Sequence, residues 1–177
     1  MTDPTAPTDP AALADLLTLH DAVDAAVEPI ERALGSQLRC SSGCSSCCVD
    51  ELTVFDIEAE RIRRQYPAVL GEAPHPAGAC AFLDAAGRCR VYGARPYVCR
   101  TQGLPLRWFE EDDDEEIVEQ RDICPLNLDG LTPRLEQLPD EHTWLLGPVE
   151  EQLWLLQANR DAGQARRVRL RDLFSGG

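Results

Sequence analysis

Eight cysteines, at positions 40, 44, 47, 48, 80, 89, 99 and 124, are the residues of this 177-residue chain best suited to chemistry. Thiolate sulfur can ligate metal, cycle redox states or attack an electrophile, so spacing has to decide between these uses. Cys44 and Cys47 have two residues between them, the short spacer shared by zinc and iron–sulfur loops. Cys40 precedes them across Ser41-Ser42-Gly43, Cys48 follows Cys47 directly, and Cys80, Cys89, Cys99 and Cys124 lie downstream. Eight sulfurs suffice for two four-ligand sites. Neighbouring side chains point to opposite faces of an extended segment and about 100° apart on a helix, so Cys47 and Cys48 are awkward ligands for one mononuclear ion. They suit two metals, a bridged polynuclear centre, or one metal beside a free redox thiol.

Tetrahedral sulfur-rich sites serve zinc and iron alike. The pattern therefore leaves both open, with an iron–sulfur cluster as the first expectation and zinc as the alternative. A fully cysteine-ligated zinc site is closed, which would make the chain a structural or metal-handling module. A cluster set among arginines and Phe82, Val91 and Tyr92 would instead carry electrons or act in the modification of another protein. A third reading is a thiol-redox protein whose cysteines cycle through disulfides. His75 lies between the two cysteine groups and is the histidine placed to replace a sulfur ligand. Other templates fail: there is no phosphate-cradling loop and no His-Glu-x-x-His pattern, and the absence of lysine excludes Schiff-base chemistry. A thiol nucleophile paired with His20, His75 or His142 would need one cysteine rather than eight. Whether the chain is an enzyme is open on its residues.

A net charge of −14 repels phosphate backbones and anionic lipid, which argues against nucleic-acid and membrane-surface partners. No apolar run approaches membrane-spanning length, and the first residues lack the basic and apolar regions of a secretory signal. A reducing cytoplasm is the expected location, where cysteine clusters hold metal more often than disulfides. Between Asp84 and Glu110 no acidic residue occurs, yet Arg88, Arg90, Arg95, Arg100 and Arg107 all do. Four thiolates on a divalent cation leave a double negative charge, so guanidinium groups that donate to sulfur or balance charge would stabilise the centre. Glu110 to Glu116 are seven consecutive acids, read as a solvated tip between two short strands and as the natural meeting point for a basic protein partner.

The elements that must hold these residues are legible in outline. Residues 1–9 read as a disordered lead-in, and 10–174 as one metal-binding domain with its cysteine cluster at 38–126 and a helical part at 139–174. Leu13, Leu16, Leu17, Val23, Val27, Ile30 and Leu34 recur near helical spacing, with Asp9 as cap, Pro10 as first residue and Gly35 as terminator, and Pro29 predicts a kink or split. His20 on this helix reads as packed. A second helix is predicted from Thr53 to Tyr66, stopped by Pro67. Cys80–Leu83 and Cys89–Tyr92 flank Gly87 as a short hairpin. Leu145, Val149, Leu153 and Leu156 predict a last helix with Pro148 in its first turn, Trp144 and Trp154 are assigned to packing, and Arg166 to Phe174 to a basic amphipathic turn. The fold class expected is α+β: a small helix-rich domain with a cysteine-rich loop and short hairpins around a metal centre.

The ordered set Cys40-x3-Cys44-x2-Cys47-Cys48, Cys80-x-Phe82-Leu83, Gly87-x-Cys89-x-Val91-Tyr92-x2-Arg95-Pro96-x2-Cys99-Arg100 and Cys124 resembles the YkgJ-type cysteine-cluster family, described as zinc- or iron-chelating. The resemblance implies that Cys40, Cys44, Cys47, Cys48, Cys80, Cys89, Cys99 and Cys124 are the metal ligands. It implies that Arg95 and Arg100 shape or neutralise the bound cofactor. The chain departs from the family motif in placing three residues rather than two between its first pair of cysteines, which makes Cys40 the ligand least supported by the motif. One branch of the family includes flagellin lysine methylases. No further segment for a methyl donor is evident here, so the resemblance carries over the metal and not the methyl transfer.

Overall fold

A computed structural model describes residues 9–174. The lead-in expected at 1–9 lies outside the described residues except for Asp9, whose carboxylate accepts the N–H groups of Ala11 at 2.9 Å and Ala12 at 3.2 Å. With that cap and Pro10 in the first turn, helix α1 runs from Pro10 to Leu34, and Gly35 ends it at φ +51°. Pro29 does not split it. The carbonyl freed by the missing N–H is that of Ala25, which is exposed and open to water, so the helix continues at modest cost. Leu16, Val23, Val27, Ile30 and Leu34 form its buried stripe, and His20 is buried with them.

The helix expected from Thr53 begins three residues later. Thr53–Phe55, β-branched and aromatic, form strand β1, and α2 spans Asp56–Gln65 with Glu58 reaching back to the Phe55 N–H at 3.3 Å. Two short helices follow, α3 at Pro67–Leu70 and α4 at Tyr97–Thr101. Strands β2, Leu106–Glu111, and β3, Ile117–Asp122, form the hairpin whose tip carries the acidic run, as expected. After α5, Pro125–Leu128, strand β4, Trp144–Leu145, adds to β2 in parallel, giving the order β3-β2-β4. Helix α6 is Pro148–Arg160, so Leu145 stands in a strand and not in the last helix. The tail is a basic turn only in its second half, at Arg171–Leu173 with Leu173 buried; before it, Arg167–Arg169 form β5, antiparallel to β1, with Val54 paired to Val168. Trp144 is packed, its indole donating to Tyr97 Oη at 2.8 Å, whereas Trp154 is 47% exposed and belongs to neither apolar cluster.

The result is a small single-domain α+β fold with its strands in two small sheets. Two apolar clusters fill it. The first joins the stripe of α1 to Tyr97, Leu104, Ile123, Trp144 and Leu153. The second joins Val54, Ala59, Ile62, Phe82, Val91, Leu170 and Phe174, and Cys80 and Cys89 pack against it. Among the described residues no helix is long and apolar enough to cross a membrane.

Candidate metal centre

The first four cysteines lie on a run of turns without a regular element. Cys44 N–H bonds to Ser41 O and Cys48 N–H to Ser45 O, each at 2.9 Å. Gly43, at φ +92°, lets this loop lie directly on the turn at Gly87, where an added Cβ would sit 3.0 Å from Gly43 O. That turn closes the expected Cys80–Cys89 hairpin, reduced to one bridge between Leu83 and Cys89 and held by Asp84, whose carboxylate accepts the Ala86 and Arg88 N–H groups. Cys80 N–H donates to Cys48 O at 2.9 Å. The loop and the hairpin are thus sewn together at two points.

Cys40 and Cys124 are brought together by a residue the sequence did not single out. Asn127 is fully buried, takes the Arg39 N–H at 2.7 Å, and donates to Gly103 O at 2.7 Å and to Cys40 Sγ at 3.3 Å. Its own N–H bonds to Cys124 O at 2.8 Å. Gly103 must be glycine, because at φ +94° a Cβ would lie 2.6 Å from Cys40 Sγ. No spacing rule marks an Asn three residues after a cysteine as a clamp.

Cys99 is carried by α4, whose position is set by polar contacts to α1 and α2. Glu58 accepts the Tyr97 N–H at 2.7 Å, and Arg100 bonds to the Arg95 carbonyl at 3.1 Å and pairs with Asp24. Glu58 also takes His20 Nε2 at 3.3 Å, while Arg61 donates to His20 Nδ1 at 2.6 Å, which fixes the proton on Nε2. His20 is therefore packed, as expected.

The eight sulfurs fall into two neighbourhoods that meet at the adjacent pair. Cys40 feels the charges of Cys44, Cys124 and Cys47; Cys99 feels those of Cys80, Cys89, Glu58 and again Cys47, and Cys48 those of Cys47, Cys80 and Cys99. Cys48 donates its thiol to Cys47, which lowers Cys47 to about 6 and pushes Cys48 up. Burial pushes up Cys40, Cys80, Cys89 and Cys99; neighbouring sulfurs add to it at Cys40, Cys89 and Cys99, and Asp50 adds to it at Cys80.

The arginines expected beside the sulfurs are directed mostly elsewhere. Arg88 pairs with Asp84, Arg90 with Glu72, Arg100 with Asp24, and Arg107 with Glu119 and Asp140. Arg95 stacks on Tyr92 at 4.2 Å and lies 3.8 Å from Asp24. Among the described residues no arginine is hydrogen-bonded to a sulfur, yet Arg95 and Arg90 still act on Cys89, and Arg171 and Arg90 on Cys80, favouring the thiolates. Arg171, unremarked in the sequence, pairs with Asp50 and takes the carbonyls of His75, Pro76 and Ala79, pinning the loop that leads into Cys80. His75 contributes backbone to this loop.

All eight thiols are free. Among the described residues, no three Cys, His, Asp or Glu side chains close to the geometry that holds one ion. The fold gathers the sulfurs without closing a ligand shell. The donor set fits a thiophilic metal: seven of the eight thiols are half-buried, neighbouring thiolates repel one another, and a bound cation would make their joint deprotonation favourable.

Residues 39–125 match the model of the family described as "CxxCxxCC: Putative zinc- or iron-chelating domain". The match starts one residue before Cys40 and ends one residue after Cys124, so it spans all eight cysteines. No curated protein and no solved structure shows a significant match to the chain.

Proposed function

With residues 39–125 forming a domain of the CxxCxxCC family, we propose that the chain is an iron–sulfur protein acting in electron transfer or in the modification of another protein. One observation carries the reading. Eight free thiols occupy two adjoining neighbourhoods that share the Cys47-Cys48 pair, a donor set that suits a polynuclear centre or two centres better than one four-coordinate ion. In this reading Cys40, Cys44, Cys47 and Cys124 serve one side, and Cys48, Cys80, Cys89 and Cys99 the other. Arg95 balances charge beside Cys89. Arg100 acts one step removed, by holding α4 against Asp24. When bound, the cluster supplies one-electron chemistry; the chain supplies the thiolates, the apolar wall of Phe82 and Val91, and the hydrogen bond from Asn127 to Cys40.

A zinc module with a structural or metal-handling role is favoured by a different observation, the packing of Cys80 and Cys89 against an apolar cluster, which suits a closed site. The deciding experiment is metal and acid-labile sulfide analysis on protein purified without oxygen. Iron with sulfide and a visible chromophore is expected, and a Cys99→Ser variant should lose most of both. Stoichiometric zinc without sulfide would replace the first reading by the second, and metal-free protein that forms disulfides reversibly would overturn both.

A further inference from the structure

The three-stranded sheet has an edge that the chain leaves open. Trp144 N–H donates to Pro105 O and Leu146 N–H to Arg107 O, so the odd-numbered residues of β2 turn their backbone groups toward β4. β4 ends at Leu145, and among the described residues no other strand pairs with that side of β2. Phe109 and Glu111 therefore each present an N–H and a C=O with no ladder partner. A cavity of about 630 Å³ opens beside this edge, walled by Leu106, Trp108, Phe109 and Leu145, with Asp122 and Glu150 at its rim. Phe109 is 54% exposed there. The acidic run begins on this strand with Glu110 and Glu111 and continues through the hairpin tip to Glu116, while the nearby cations Arg107 and Arg121 are already paired with Glu119 and Asp140.

These features select an occupant. A strand edge guarded only against aggregation needs charge and no apolar cavity. A second copy of the chain carries the same net charge of −14 and the same acidic strand end, and a nucleic acid would meet the same repulsion. We propose that this edge receives an extended basic segment of another protein as an added strand, its alternate apolar side chains entering the cavity and its lysines or arginines meeting the acidic tip. The inference rests on the sheet alone and stands or falls independently of the metal.

The test is fluorescence anisotropy of labelled peptides that alternate lysine with leucine, titrated with the full chain. Saturable binding that weakens with added salt is expected. Phe109→Ala, which removes a cavity wall, and the triple change Asp113→Asn, Asp114→Asn and Glu115→Gln, which touches no side-chain hydrogen bond of the tip, should each weaken binding by about tenfold. Glu111→Pro, which deletes an edge N–H while sparing the β2–β3 ladder, should do the same. Unchanged circular dichroism marks a variant as folded. Absence of saturable binding, equal binding by the folded variants, or equal binding of a peptide with the lysines replaced by glutamates would overturn the proposal. So would sedimentation showing a dimer through this edge.

Discussion

The two apolar clusters are built in opposite ways. The first is organised by a 25-residue capped helix, with α4, α6 and the three-stranded sheet laid on it, and no cysteine belongs to it. The second takes Phe82 and Val91 from a stretch between α3 and α4 that has no strand longer than a single bridge. That stretch is held by side chains reaching backbone: Arg90 to Ala73 and Ala81, Arg171 to His75, Pro76 and Ala79. Cys80 and Cys89 pack on this second cluster. A helix makes its own backbone hydrogen bonds and needs only a partner for its apolar stripe. An irregular segment has no such ladder, so it relies on these side chain–backbone bonds, and thiolate–metal bonds would add to them. Both clusters are closed by burial, but the second includes an irregular stretch to which bound metal would add cross-links.

Removing the metal is the strongest way to sharpen this contrast. Thiolate–metal bonds in structural sites contribute on the order of 10 kcal/mol to whatever depends on them. Stripped of metal under reducing conditions, the chain should lose amide-exchange protection over residues 80–99 and keep it along α1. Uniform protection in both states would show that the second cluster stands without metal.

Next in size is a pair of truncations. Phe82 is 1% exposed and lies 4.9 Å from the Phe174 ring, and Leu16 is fully buried on α1. Phe82→Ala should cost about 3–5 kcal/mol and Leu16→Ala about 2–5 kcal/mol in thermal or denaturant unfolding. The two should differ in kind: Phe82→Ala lowers the metal content of purified protein, and Leu16→Ala leaves it unchanged. Equal metal loss in both would mean that the clusters behave as one unit.

The same contrast governs what could be read in the sequence. Asp9, Pro10 and Gly35 mark the ends of α1 because capping is local chemistry, and the acidic hairpin tip is marked by its charge. The set of eight cysteines was legible as a donor set because ligand type and order are written in the chain. Its geometry was not. Asn127 meets Cys40 across 87 positions, and Glu58 reaches Tyr97 across 39, so neither role leaves a periodic or local trace. Strand β1 was missed because its partner β5 lies more than a hundred residues away, and the arginines looked like a positive island because their carboxylate partners come from distant segments. Trp154 was assigned to packing on residue type alone, and helix α6 turns it to solvent.

The smallest expected effect probes the seam between the clusters, where α1 meets α2. His20 is buried there between Glu58 and Arg61, with Arg100 close by and Asp21 and Asp24 facing Arg61. Burial lowers the histidine below its ordinary value, against the pull of Glu58. The unfolded chain then binds the extra proton first as pH falls below about 6.5, so stability is full above that point and declines toward the lower folded value. Asp56 is held below the ordinary carboxylate range by Arg166 and Arg63 despite its burial, so its contribution begins to be lost further into acid than the point where the histidine's loss begins. His20→Gln keeps a donor for Glu58 and an acceptor for Arg61 and removes the titration. Its melting temperature should vary less than that of the parent between neutral and mildly acidic pH, with metal content unaltered. A parallel decline in both proteins would place the acid sensitivity elsewhere, and metal loss in the variant would tie the seam to the sulfurs through Glu58 and α4.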